Sequence, residues 1–248
     1  ILFIMDKSTW KWIFVNWMLV GGGTVLMLYL GIFGNLQAKF SDLLFVPRPT
    51  SGKIVIVAID DKSIQKIGRW PWDRKVFVDV LEKLKSSGAI GIDVTFSESS
   101  KDDEVFRQAL LNSPRSVLAA EDNSGQKLLP VESLRSASSW GIVNLFSDTD
   151  NLVRRAGLNN SFSAEILNKY FSASGDQVLI PSGTMFINFA GGAGYFPIYS
   201  LVDILEGAES PDLAGKIVLI GATAPDLHDE VLTPVSRGKP MAGVEAHA

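Results

Sequence analysis

The chain has 248 residues, 46% hydrophobic and 20% charged, with no cysteine, two histidines and a formal net charge of −4. That length supports a substantial core without covalent staples, and the missing thiol excludes a disulfide framework, thiolate zinc sites, iron–sulfur ligation and a cysteine nucleophile. With 23 basic against 27 acidic residues, the chain lacks the positive footprint that displaces counterions from nucleic acid, so no nucleic-acid partner is expected.

From Ile13 to Phe33 the sequence IFVNWMLVGGGTVLMLYLGIF carries no charge; as a helix it reaches about 30 Å, the thickness of a bilayer's hydrocarbon core. The reading is a short N-terminus at 1–12, a transmembrane helix at 13–34 and the lipid bilayer as a partner. Trp10, Trp12 and Trp17 with Lys7 and Lys11 crowd one end, and Tyr29 and Phe33 the other, as at a headgroup level. A cleaved signal peptide fits less well, because the apolar run is long and Ala38 has Leu36, not a small residue, two positions before it. Gly21-Gly22-Gly23 weaken a helix in water, but in lipid they let a neighbouring helix approach, so a partner transmembrane helix or membrane complex is expected. Lys7 and Lys11 before the span are nearly matched by Lys39, Arg48 and Lys53 after it, leaving only a lean toward an inside N-terminus. Met5 is a natural start of translation, and Ile1 to Ile4 have no physical role in this scheme.

Residues 35–52, ending in Pro47-Arg48-Pro49-Thr50-Ser51-Gly52, read as a polar connector to a domain at 53–248. IVIVAI at 54–59 is a continuous β-branched run, the pattern of a strand covered on both faces. A helix follows Trp72, capped by Asp73, with Val76, Phe77, Val80, Leu81 and Leu84 on one stripe before Gly88. AIGIDVTF at 89–96 is the next strand, and the three together predict a right-handed crossover with a parallel pair. DDEVFRQALL at 102–111 reads as a helix and SVLAA at 116–120 as a strand. GIVNLF at 141–146 and LVRRAGL at 152–158 flank the turn formers Asp148 to Asn151 and predict a hairpin. A helix at 164–171, a strand at 185–190, a glycine turn at 191–194, a short helix at 201–205 and a buried strand at 216–220 complete the chain. The fold class is α/β, or α+β, with a mixed sheet and flanking helices behind one transmembrane helix.

Asp60 and Asp61 close the first strand, Asp93 sits near the end of the second, and Thr223 follows the last. Ligands in open α/β sheets gather at the carboxyl ends of strands, so these residues are candidates to bind a small ligand, or magnesium for phosphoryl transfer. The same acids also suit helix capping and loop hydrogen bonds. Trp70 and Trp72 around Pro71 suit either a ligand wall or a wedge between helix and sheet, and Arg154 and Arg155 either an anionic ligand or solvent. His228 and His247 match no helical two-histidine zinc spacing. There is no Gly-x-Ser-x-Gly elbow or phosphate loop, so no cofactor, metal or catalytic residue is assigned.

Taken in order, IVIVAIDDKSI at 54–64, GRWPWDR at 68–74, IDVTFSE at 92–98, WGIVN at 140–144, DTDNLVRR at 148–155, INFAG at 187–191, GKIVLIGATAPDL at 215–227 and MAGVEAHA at 241–248 resemble CHASE type two, the cyclase and histidine-kinase associated sensory extracellular domain. The resemblance runs from about residue 36 to 248. Where that family commonly has glycine, Asn151 stands, which also tolerates a left-handed turn. The resemblance implies a bacterial, non-catalytic sensor outside the cytoplasmic membrane, with Lys7 and Lys11 inside. Family chains commonly continue into further transmembrane helices and a cytoplasmic output module, so the resemblance also implies either a fragment or an accessory subunit working through a partner.

Overall fold

The computed structural model describes residues 6–31, 39–123, 125–173, 175–176, 178–209 and 211–248. The expectations placed on Ile1 to Met5, Phe33, Leu36 and Ala38 lie outside the described residues. The chain divides into two units, Ile1–Phe45 and Val46–Ala248.

In the first unit, helix α1 spans Lys7–Tyr29, so it starts ahead of the uncharged stretch. Its segment Ser8–Tyr29 is long and apolar enough to cross a membrane. Two polar side chains inside the apolar run satisfy themselves locally, as a helix in hydrocarbon requires. Asn16 donates to the carbonyl of Trp12 at 2.9 Å and Thr24 to that of Val20 at 2.8 Å. A side-chain carbon added at Gly21, Gly22 or Gly23 meets nothing within 4 Å.

The second unit begins inside the expected connector. Arg48 donates its backbone N–H to the carbonyl of Ala190 at 2.9 Å and its guanidinium to that of Asn188 at 3.2 Å. The main sheet contains β1 (Ile54–Ile59), β2 (Ala89–Thr95), β3 (Ser116–Asn123), β4 (Gln126–Leu128), β5 (Ser139–Ile142), β9 (Ile198–Ser200) and β10 (Ile217–Ala222). Its order is β4-β3-β2-β10-β1-β9, with β5 also paired to β3. Every pairing is parallel except that of β3 with β4. Strands β6 (Leu145–Ser147), β7 (Val153–Gly157) and β8 (Thr184–Phe186) form a small antiparallel sheet, and β11 (Glu230–Val231) pairs with β12 (Met241–Ala242).

Period-two alternation divides the strand residues between two cores. Val55, Val57, Ile59, Ile90, Ile92, Leu118, Val218 and Ile220 face helices α3 (Arg74–Lys83), α4 (Asp103–Leu111) and α7 (Leu201–Glu206) through Phe77, Leu81, Phe106, Leu110, Leu201 and Ile204. Ile56, Val117, Ala119, Ile217 and Leu219 face α6 (Phe162–Ser172) and α8 (Gly243–Ala246) through Phe162, Ile166 and Val244. Helices α2 (Asp61–Ile67) and α5 (Glu132–Arg135) complete the set. Coverage on both faces explains why β1 and β10 read as unbroken apolar runs. The mixed α/β class stands.

Several local expectations are corrected. The first two strands are parallel but not adjacent, because the most apolar late run, β10, inserts between them. Asp73 precedes α3 without a side-chain cap bond, and that helix ends at Lys83, before Gly88. The segment 141–146 is split. Its first half stays in the main sheet, Asn144 accepts from the backbone N–H of Asp122 at 2.6 Å, and the second half joins the hairpin. The expected strand 185–190 shortens to β8. The hairpin turn is as expected, with Asn151 left-handed at φ 63°.

Candidate functional site

The acidic pair after β1 divides. Asp60 Oδ1 accepts from the Ser63 backbone N–H at 2.9 Å, from Ser63 Oγ at 2.6 Å and from Ser200 Oγ at 2.9 Å. It caps α2 and fastens it to the start of α7. Beside it, Lys62 reaches both carboxylate oxygens of Asp203 at 2.6 Å, and Ser63 Oγ accepts from the backbone N–H of Val202 at 3.2 Å. The DDKS stretch is thus a latch between β1 and α7. Asp61 sits exposed in the first turn of α2.

Arg154 and Arg155 are also engaged. The Arg154 side chain, only 4% exposed, donates to Asp148 at 2.9 Å and to Asp150 at 2.9 and 2.7 Å. Arg155 pairs with Asp148 and stacks 5.8 Å from the Phe186 ring centre. These charge-assisted bonds close the β6–β7 hairpin. Arg154 holds Asp150 down at about 2, and Arg155 with Arg154 holds Asp148 below the usual carboxylate range.

Trp70, Trp72 and Asp93 do come together, at the carboxyl edge of the main sheet. There the connections after β1 and β2 pass to the face of α3 and α4, while that after β10 leads to α8 on the other face. Adjacent strands whose connections diverge leave a crevice between them. A cavity of about 490 Å³ opens at this place. Its floor is made by the strand ends, with Ile59, Ala222, Asp93, Thr95 and Glu121, and by Val143 and Asn144 after β5. One end is aromatic. Trp70 and Trp72 meet edge to face at 5.1 Å, Trp70 and Phe77 at 6.4 Å, and Phe77 and Phe96 at 5.0 Å. Trp72 is 7% exposed and donates its indole N–H to the carbonyl of Gly68 at 2.8 Å, so it serves both as packing wedge and as wall. Arg74 lies there too, stacked 4.6 Å from the Phe96 ring centre and bonded to Asp103 at 3.1 Å and to the carbonyl of Glu98 at 2.7 Å.

The other end is acidic, with Asp93, Glu121 and Asp229. Gly221 makes room for it, since a Cβ there falls 2.6 Å from Val244 Cβ and 3.2 Å from Asp93 Cβ. Glu121 accepts from Thr95 Oγ1 at 2.8 Å. The carboxylates of Asp93 and Asp229 receive no hydrogen bond or ion pair among the described residues. Burial and then the Glu121 charge push the Asp93 carboxyl up to about 7. Burial and then Asp93 push Asp229 up to about 6, with His247 pulling the other way and Glu121 adding to the rise. Among the described residues no cluster is arranged to hold a metal ion.

Sequence reasoning missed Glu121, Asp229 and the structural use of Glu245. Glu121 was legible only if the third strand was extended one residue beyond Ala120. Asp229 lies in a loop with no periodic signal. Glu245, 4% exposed, accepts from the backbone N–H groups of Gly194 at 2.8 Å and Tyr195 at 2.8 Å, so it pins the glycine turn. His247 donates Nε2–H to the carbonyl of Val143 at 3.1 Å, and burial pulls its imidazole down to about 4. His228 is exposed, in a left-handed conformation after a short 3-10 turn.

A family model described as CHASE2 domain matches residues 17–248. The match begins at Trp17, inside α1, well upstream of residue 36. No curated protein and no solved structure matches the chain.

Proposed function

Because the chain belongs to the CHASE2 domain family, a sensory extracellular domain of signalling proteins, we propose that it is a non-catalytic sensor held by α1 in the cytoplasmic membrane, its second unit on the extracytoplasmic side. The observation that carries the sensory role is the switch-point cavity, where two carboxylates stand without a protein donor between an aromatic wall and the strand ends. A carboxylate that lines a cavity, partly withdrawn from water and without a protein donor, is answered best by a ligand, and a ligand that satisfies it binds one state in preference to another. Occupancy of this cavity is what the domain reports. Of the acids in the catalytic alternative, Asp60 is spent on capping and lies outside the cavity lining, which leaves Asp93 there without it.

Gly21, Gly22 and Gly23, open on α1, support a second element of this reading. They suit close packing against another transmembrane helix, either of a signalling partner or of a complex to which this chain is accessory.

Full-length protein in lipid nanodiscs tests the sensory role by thermal unfolding, with and without the low-mass fraction of an envelope extract. A ligand at a hundredfold excess over Kd stabilises by about 2.7 kcal/mol, or roughly 5–10 °C in Tm at this size. That rise is expected in the wild type and is expected to disappear in Ala222→Leu, which fills the cavity from the end of β10. No rise, or an equal rise in both proteins, contradicts the reading.

A further inference from the structure

Resting on that reading, we infer that the cavity takes an elongated organic cation, an ammonium group among Asp93, Asp229 and Glu121 with its apolar body against Trp70 and Trp72. Three independent observations lead there. The acidic end holds three carboxylates, of which Asp93 and Asp229 receive no hydrogen bond or ion pair among the described residues. His247, whose charge acts on Asp229, is engaged with Val143 through Nε2, and the one arginine in the lining, Arg74, stands at the aromatic end with its guanidinium committed to Asp103 and to the carbonyl of Glu98. The protein therefore supplies no counter-charge where the acids converge.

The remaining two observations choose the kind of cation. The acids do not form a metal-ligating cluster, whereas an ammonium tolerates donors spread over a wider shell and donates three hydrogen bonds in different directions. The volume, about 490 Å³, falls within the range of small-molecule sites, and indole faces give an aliphatic or aromatic body a surface to cover. Anions are repelled by the acids, and a neutral ligand covers them without answering their charge.

Isothermal titration of the full-length protein in nanodiscs at pH 8 tests this with a matched set: phenethylamine, its neutral counterpart 2-phenylethanol and its anionic counterpart phenylacetate, with cadaverine and hexylamine as further cations and calcium and magnesium chloride as metal probes. At least one of the three cations is expected to bind at least tenfold tighter than the neutral and anionic compounds. Asp93→Asn and Asp229→Asn, which keep shape and remove charge, are each expected to weaken that cation at least tenfold. Affinity is also expected to fall from pH 8 to pH 5.5, as Asp93 and Asp229 take up protons with Glu121, His247 and Arg74 as the other charged or titratable groups lining or facing the site. Failure of all three cations, equal binding of a neutral or anionic analogue, saturation by calcium or magnesium instead, or indifference to both substitutions overturns the inference. If the cations fail while the envelope fraction still raises Tm in a manner lost in Ala222→Leu, the sensory reading stands and only the ligand class falls. If both fail, both fall.

Discussion

Replacing Asp93 with asparagine is expected to stabilise the protein at pH 8 by roughly 2–4 kcal/mol, the equivalent of a carboxyl moved from its ordinary range to about 7. The reason is that an acid with a raised native pKa holds its proton in the folded protein after the unfolded chain has released it. Between about pH 4 and pH 7 the native state binds the extra proton, so stability falls as pH rises and stays low above 7. Asp229, raised to about 6, adds a second contribution of the same sign over the lower part of that window. His247, lowered to about 4, acts oppositely from about pH 4 to 6.5, where the unfolded imidazole binds a proton and the folded one does not. The two acids outnumber the histidine, so these three groups together lower stability as pH rises from 4 to 6. Asp93→Asn flattens that slope. Urea unfolding of both proteins from pH 4 to pH 8 measures it, and equal stability at pH 8 contradicts the raised, unpartnered state of the acid. A residue whose removal strengthens the fold while weakening binding is the expected signature of a functional group kept at the expense of stability.

Gly141→Ala is expected to destabilise by about 3 kcal/mol, the upper range for overpacking, lowering Tm by roughly 6–12 °C. A Cβ at this position falls 2.6 Å from Phe162 Cα, 2.7 Å from its backbone nitrogen and 2.8 Å from the carbonyl carbon of Ser161. These are backbone atoms at the start of α6, so no side-chain rotation relieves the clash. The bridge beside it must open as well, because Ile142 donates its N–H to the carbonyl of Asn160 at 2.7 Å. Since α6 covers one face of the main sheet, the change loosens that core. Thermal unfolding of the variant at pH 7 gives the answer, and an unchanged Tm shows that β5 and α6 are not in this contact.

The elements legible in the sequence are those whose burial is uniform along the chain. IVIVAI and IVLI are apolar on both faces because both faces are covered, and the stripe of Phe77, Val80, Leu81 and Leu84 points to one core. What stayed hidden depends on partners far along the chain. Nothing in Ile54–Ile59 says that its neighbours are β10 and β9, since pairing is settled by competition among several equally apolar strands. Gly141 and Gly221 carry no local turn signal; their need for a missing side chain arises from Phe162 and Val244. The candidate site was half visible for the same reason. Asp93, Trp70 and Trp72 announce themselves as an acid in an apolar strand and two large aromatics around a proline, whereas Asp229 enters from a loop and Glu121 from a strand extension. Asp60 and the paired arginines resemble ligand groups in composition, and only their serine and aspartate partners reveal caps and hairpin clasps.

Thiol labelling reports on whether this domain works, as proposed, outside the cytoplasmic membrane on a helical anchor. The chain has no cysteine, so Lys127→Cys on the exposed strand β4 provides a single reporter, and Ser8→Cys at the start of α1 a second in a separate protein. A membrane-impermeant maleimide added to spheroplasts is expected to label Cys at 127 fully and Cys at 8 only after lysis. Labelling at 8 with protection at 127, or release of the protein from the membrane by alkaline carbonate, contradicts the account.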